Sequence, residues 1–125
     1  MVLKFFIALI VWSLLACVPS RSSEVWRVRS IDVVKERLVL DLEWGRDTHR
    51  ITLCGVSVRE GDVGKVRSHI DKLLANAPRQ EVVVFQAEGK SEVFVPQRGR
   101  DDELFLGHEL VEAGLGQPVD EGCPN

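Results

Sequence analysis

A single change of hydrophobic period most restricts what this chain can fold into. Over residues 37–44 the apolar side chains fall at every second position, with Leu38, Leu40 and Leu42 on one face. From Val66 onward they fall at helical spacing, at Val66, Ile70, Leu73 and Leu74. A period of two marks a half-buried strand, and a period near 3.6 marks an amphipathic helix. The same reading gives strands over residues 25–34, 37–44 and 50–58, the first alternating only in part, with Trp26, Val28 and Ser30 on one side. A helix over 64–76 follows, stopped by Pro78. Strands over 81–86 and 93–95 and a helix over 104–113 complete the order, with Gly114 just past the last helix and Asp101 or Asp102 as its cap. Five short strands with a helix after the third predict a β-rich α+β domain, a five-stranded OB-type barrel with a C-terminal helix outside it.

The chain's beginning has a different character. One Lys, Lys4, precedes an apolar run over residues 5–16 interrupted only by Ser13. A bilayer span takes about 20 apolar residues, so this run reads as a secretory signal. Leu14-Leu15-Ala16-Cys17 resembles a bacterial lipobox, which makes Cys17 a lipidation site. Val18 after it, in place of Asp, resembles the pattern that in a Gram-negative bacterium sorts a lipoprotein to the outer membrane, facing the periplasm. The organisation expected is a signal peptide over 1–16, a linker over 17–24, a domain over 25–116 and a tail over 117–125.

The whole chain carries a net charge of −3. Lys4 leaves with the signal, taking the 16 basic residues to 15 against 19 acidic. The roughly 108 residues that remain are one domain with a modest core. A nucleic-acid binder draws most of its affinity from neutralising phosphates, so this balance argues against strong nucleic-acid binding. With Cys17 taken up by lipid, Cys54 and Cys123 remain in an oxidising compartment. Cys123 lies in a polar tail with no core to bury it, which favours a bridge to Cys54. Two buried free thiols are the alternative, and only geometry separates the two.

Three local strings resemble the staphylococcal-nuclease-like (thermonuclease) family. Val28-Arg29-Ser30-Ile31-Asp32 is similar to its opening V-x-x-V-I-D. Leu53-Cys54-Gly55-Val56-Ser57-Val58-Arg59-Glu60 is similar to L-x-G-I-D-A-P-E. Leu106-Gly107-His108-Glu109-Leu110-Val111-Glu112-Ala113-Gly114-Leu115-Gly116 is similar to the closing V-N-x-x-L-V-x-x-G-L-A. The resemblance implies calcium-assisted phosphodiester cleavage. Two Asp carboxylates hold the ion, a Glu activates water and two Arg bind the phosphate. Here Val34 and Ser57 stand at the Asp positions and Thr52 at the first Arg. Lys90 stands at the second Arg, and Glu60 alone is unchanged. Neither Val nor a neutral Ser hydroxyl replaces a carboxylate on Ca²⁺, and Lys lacks the guanidinium fork. Arg50 lies one pleat repeat, about 6.6 Å, from Thr52 on the same strand face, within reach of an anion.

His49, His69 and His108 show no zinc-ligand spacing and read as surface histidines. Glu24, Glu81, Glu88 and Glu92 read as solvated strand or loop positions, and Arg50 and Arg59 as ion-pair partners near Glu60. The catalytic remnants Glu60 and Lys90, without a metal pair, imply no bound cofactor. The function expected is an inactive, membrane-tethered module that binds a protein, glycan or nucleic-acid ligand. The alternative is an exported nuclease with a rearranged metal site.

Overall fold

The computed structural model describes residues 22–101 and 104–124. The expected signal peptide over residues 1–16 and the expected lipidation position Cys17 lie outside the described residues. Strand β1 (Ser22–Val34) is followed by β2 (Arg37–Trp44), β3 (Asp47–Thr52) and a two-residue β4 (Val56–Ser57). Helix α1 (Val63–Ala75), strands β5 (Glu81–Ala87) and β6 (Lys90–Phe94), helix α2 (Leu106–Glu112) and β7 (Gln117–Pro118) complete the chain. Strand β1 starts inside the expected linker, and β7 lies inside the expected tail.

The fold is strand-rich α+β. Five strands form one antiparallel sheet in the order β3-β2-β1-β5-β6. It is an open sheet, and the expected closed barrel is not formed. The outer strands β3 and β6 meet only past the end of β3, at a single parallel bridge between Leu53 and Ser91, where the Cys54 N–H donates to the Ser91 carbonyl at 2.8 Å. Elsewhere these two edges do not form a ladder.

Strand β1 is long because it serves two partners. Residues 22–27 pair with β5 and residues 27–34 with β2. Its register against β2 jumps between Val28 and Ser30, leaving Arg29 as an extra residue. A bulge of this kind shifts the side-chain phase by one and bends the strand. Trp26 and Val28 therefore face the core before it, and Ile31 and Val33 after it. This is why the alternation in β1 is only partial in the sequence. It also corrects the expected facing of Ser30, which points outward and donates to Asp41 Oδ2 at 3.1 Å.

The core is built as the periodicity requires. Leu38, Leu40 and Leu42 are fully buried, with Ile51 and Leu53 beside them. Helix α1 covers them with Val66, Ile70 and Leu74, spaced four apart on one face. Helix α2 adds Leu106 and Leu110. It starts from Phe105 without a side-chain cap, so Asp101 plays no part in capping it. The helix ends as expected. The Gly114 N–H donates to the Val111 carbonyl at 3.1 Å and the Leu115 N–H to the Leu110 carbonyl at 2.9 Å, with Gly114 at φ 75°. These paired bonds satisfy carbonyls the helix leaves open. No helix among the described residues is long and apolar enough to cross a membrane.

The turn between β1 and β2 carries strain. Lys35 and Glu36 both sit at positive φ, 51° and 63°. Residues with a Cβ are disfavoured there by about 1–2 kcal/mol each. Replacing the pair, Lys35→Asn with Glu36→Gly, is expected to raise stability by about 1 kcal/mol in urea unfolding, because this is the preferred two-residue hairpin chemistry. Leu40→Ala is expected to lower stability by about 2–5 kcal/mol in the same measurement.

Candidate functional site

The strand ends at the β3–β6 junction collect a polar cluster. Arg37 opens β2, Lys90 opens β6, and Cys54 and Gly55 follow β3. Across them lies the chain's end, joined by a Cys54–Cys123 disulfide with an S–S distance of 2.07 Å and a Cα–Cα distance of 5.7 Å. The bridge expected from composition is present. Strand β7 pairs with β4, Val56 opposite Pro118 and Ser57 opposite Gln117, and the Val119 N–H donates to the Gly55 carbonyl at 2.9 Å.

This path brings Glu121 into the cluster. Its carboxylate receives both arms of the Arg37 guanidinium, Nη1 to Oε1 at 2.5 Å and Nη2 to Oε2 at 3.0 Å. The Gly55 N–H donates to the same Oε1 at 2.7 Å, and Lys90 Nζ donates to the Glu121 main-chain carbonyl. Three donors on one carboxylate favour its charged form. The Arg37 hydrogen bonds, then the Gly55 amide, hold the Glu121 carboxyl below its usual value, with the charges of Arg37 and Lys90 acting the same way. Gly55 sits at φ 82°, and a Cβ there would meet Cys123 Sγ at 2.8 Å. Only glycine lets the bridge lie this close to the backbone. A cavity of about 240 Å³ remains beside the cluster, bordered by Arg37, Thr52, Lys90 and Glu121.

Among the described residues, Cys54, Cys123 and Glu121 are the one group of three potential metal ligands brought together. With the two sulfurs joined, neither is the thiolate that binds a metal.

The positions carried over from the nuclease-like family do not share one pocket. Lys90 and Thr52 border the cavity beside Glu121. Ser57 borders a different groove, with Glu36, Arg59 and Asp62. Glu60 is exposed on the short 3-10 turn Glu60–Asp62, and Val34 is 40% exposed. Arg50 does not face the Thr52 cavity. It pairs with Asp41 at 3.0 Å and borders a groove beside the β1 bulge. Arg59 pairs with Asp62 at 3.2 Å. Neither arginine is paired with Glu60.

The sequence reading missed Arg37, Glu121 and Glu92. The signal for Glu121 was available, since a bridge from Cys123 to Cys54 brings residue 121 to Gly55. Glu92 is a half-buried residue, and not a solvated one. Its carboxylate accepts from the Val93 and Gly107 amides, yet burial outweighs these bonds and pushes its pKa up to about 7. The histidines also divide. His108 pairs with Glu112 at 2.9 Å on the surface. His49 is half-buried, with its ring centroid 5.6 Å from that of Trp26 and its Nε2 3.1 Å from Gln86. The Nε2 atom of His69 is buried without a hydrogen-bond partner.

No family model, curated protein or solved structure matches this chain.

The two shifted carboxylates act on stability in separate pH ranges. The folded protein holds a proton on Glu92 up to about pH 7, whereas the unfolded chain releases it near 4.5. The folded state binds more protons across that window, so this group's contribution falls as pH rises through it. Glu121 acts oppositely. Its contribution is present above the unfolded carboxylate value and is lost as pH falls through its lowered folded value. Glu92→Gln is expected to raise the melting temperature above pH 7 and to leave it unchanged near pH 4.5. Melting curves of both proteins across this range check the prediction.

Proposed function

We propose that the protein is a non-catalytic binding module on a thermonuclease-like, OB-type scaffold, held in the bacterial cell envelope by a lipid on Cys17. One observation carries the non-catalytic part. Lys90, the family remnant that could contact a phosphate, faces the chain's own Glu121, while Glu60 stands exposed on a separate turn. Phosphodiester cleavage needs a water activator and a charge stabiliser converging on one phosphorus within about 3 Å contacts. The carboxylates that would hold Ca²⁺ are replaced by Val34 and Ser57. A carboxylate fixed among the cations further opposes a phosphate, since like charges repel and the cations are already paired.

The strand order with a helix between β4 and β5, and the single bridge between Leu53 and Ser91, support the OB-type reading, although the sheet itself is open. The Cys54–Cys123 disulfide supports an exported location, because such bonds persist in oxidising compartments.

The purified protein is expected to leave single- and double-stranded DNA and RNA intact in millimolar Ca²⁺, Mg²⁺ or Mn²⁺, as read on gels. Ca²⁺ is expected to cause no rise in melting temperature, since an ion bound only by the folded state must raise it. Metal-dependent cleavage abolished by Glu60→Ala would overturn this reading in favour of a nuclease with a rearranged site. Retention of a Cys17→Ser protein in the membrane fraction would defeat the tether.

A further inference from the structure

The contacts made by residues 117–121 have the form of a docked peptide. Strand β7 adds to β4, the Gly55 carbonyl takes the Val119 N–H, and the Gly55 N–H returns a bond to the Glu121 side chain. Arg37 forks the Glu121 carboxylate, and Lys90 takes its main-chain carbonyl. Main-chain pairing supplies affinity in such strand addition, and a placed side-chain anchor supplies selectivity. The anchor here is one acidic residue, while Gln117, Pro118 and Asp120 are exposed.

The segment is also separable from the domain. The hydrophobic core and the apolar residues packed against it end at Leu115. Beyond that point the chain is held by the polar contacts above, by the buried Pro124 and by the disulfide, which spans 69 residues of sequence. The Arg37 and Glu121 side chains are 30% and 27% exposed, so their pair is open to solvent and to exchange.

We propose that β4, Gly55, Arg37 and Lys90 form a docking cleft for an extended acidic segment of a partner protein, occupied in cis by residues 117–121 and opened when the Cys54–Cys123 disulfide is reduced. The proposal rests on the binding-module reading and names its partner class. The opening step uses a dithiol reductant. The S–S bond breaks, each cysteine sulfur ends as a thiol after gaining one electron and one proton, and the dithiol becomes a disulfide. While the bridge is intact the tail cannot leave, and a partner faces a competitor tethered at high local concentration. Once it is broken, the tail is tethered at one end only, so it competes at a lower effective concentration and through its hydrogen bonds.

The test uses a blocked, fluorescent peptide of sequence Gln-Pro-Val-Asp-Glu-Gly and fluorescence anisotropy at pH 7. The full chain carrying Cys123→Ser and Glu121→Gln loses both latch and internal anchor, and is expected to bind this peptide. A peptide with Gln for Glu is expected to bind roughly tenfold more weakly or worse, the effect of losing a charge-assisted hydrogen-bonded pair. Adding Arg37→Ala to the variant is expected to abolish that difference. Oxidised wild type is expected not to bind, and reduced wild type to bind with a shift of the Gly55 amide resonance. The reduced wild type keeps the test decisive if the double variant fails to fold. Absence of binding by a folded variant or by reduced protein at millimolar peptide would overturn the proposal, as would equal affinity for the two peptides. Such a result leaves the non-catalytic reading standing, whereas nucleic-acid cleavage removes that reading without touching peptide binding.

Discussion

The bulge at Arg29 is the constraint on which the rest of the sheet depends. One strand, β1, must pair with β5 over its first half and with β2 over its second. A regular strand has a fixed side-chain phase, and a bend changes which side faces the core. The extra residue resets that phase, so Trp26 and Val28 on one side of it and Ile31 and Val33 on the other reach the same core. With β1 bent, β3 and β6 approach each other, and their ends meet at Leu53 and Ser91. The polar cluster forms at that meeting point. Arg37, Gly55 and Lys90 converge there because three separate strands begin or end at one place.

What occupies the meeting point is decided by electrostatics. Two cationic side chains and a free amide side by side are unfavourable unless an anion joins them. The chain supplies that anion itself through Glu121, and the disulfide sets its position. Arg37, Gly55 and Lys90 together hold the Glu121 carboxylate and its main-chain carbonyl in place. Glu92, half-buried beside the start of α2, is a second carboxylate whose environment departs from the surface.

Much of the fold was legible in the sequence. Strand β2, helix α1 and the glycine-terminated end of α2 lie where the periodicity and punctuation put them, because each has one buried face and a local stop signal. Strand β1 was harder to read, since a bulge reverses the alternation midway and no residue type announces it. The third strand covers Asp47–Thr52, starting before and stopping well short of the expected 50–58. The chain turns at Gly55, at φ 82°, and starts again as β4. In the candidate site, the bridge between Cys54 and Cys123 was expected from the residues around it. Arg37 carries no periodic or motif signal, and Glu121 is placed only through the bridge that brings its neighbour Cys123 to Cys54.

The sequence by itself determined which segments are strands and which are helices, and where most of the core residues lie. Those are local properties, carried by side-chain period and by residue identity. Tertiary structure alone decided that the sheet stays open, that Ser57 borders a different groove from Thr52 and Lys90, and that Glu121 fills the cluster of Arg37, Gly55 and Lys90. The physical reason is that these depend on how strands bend and on where a distant tail crosses them, and no local pattern encodes either.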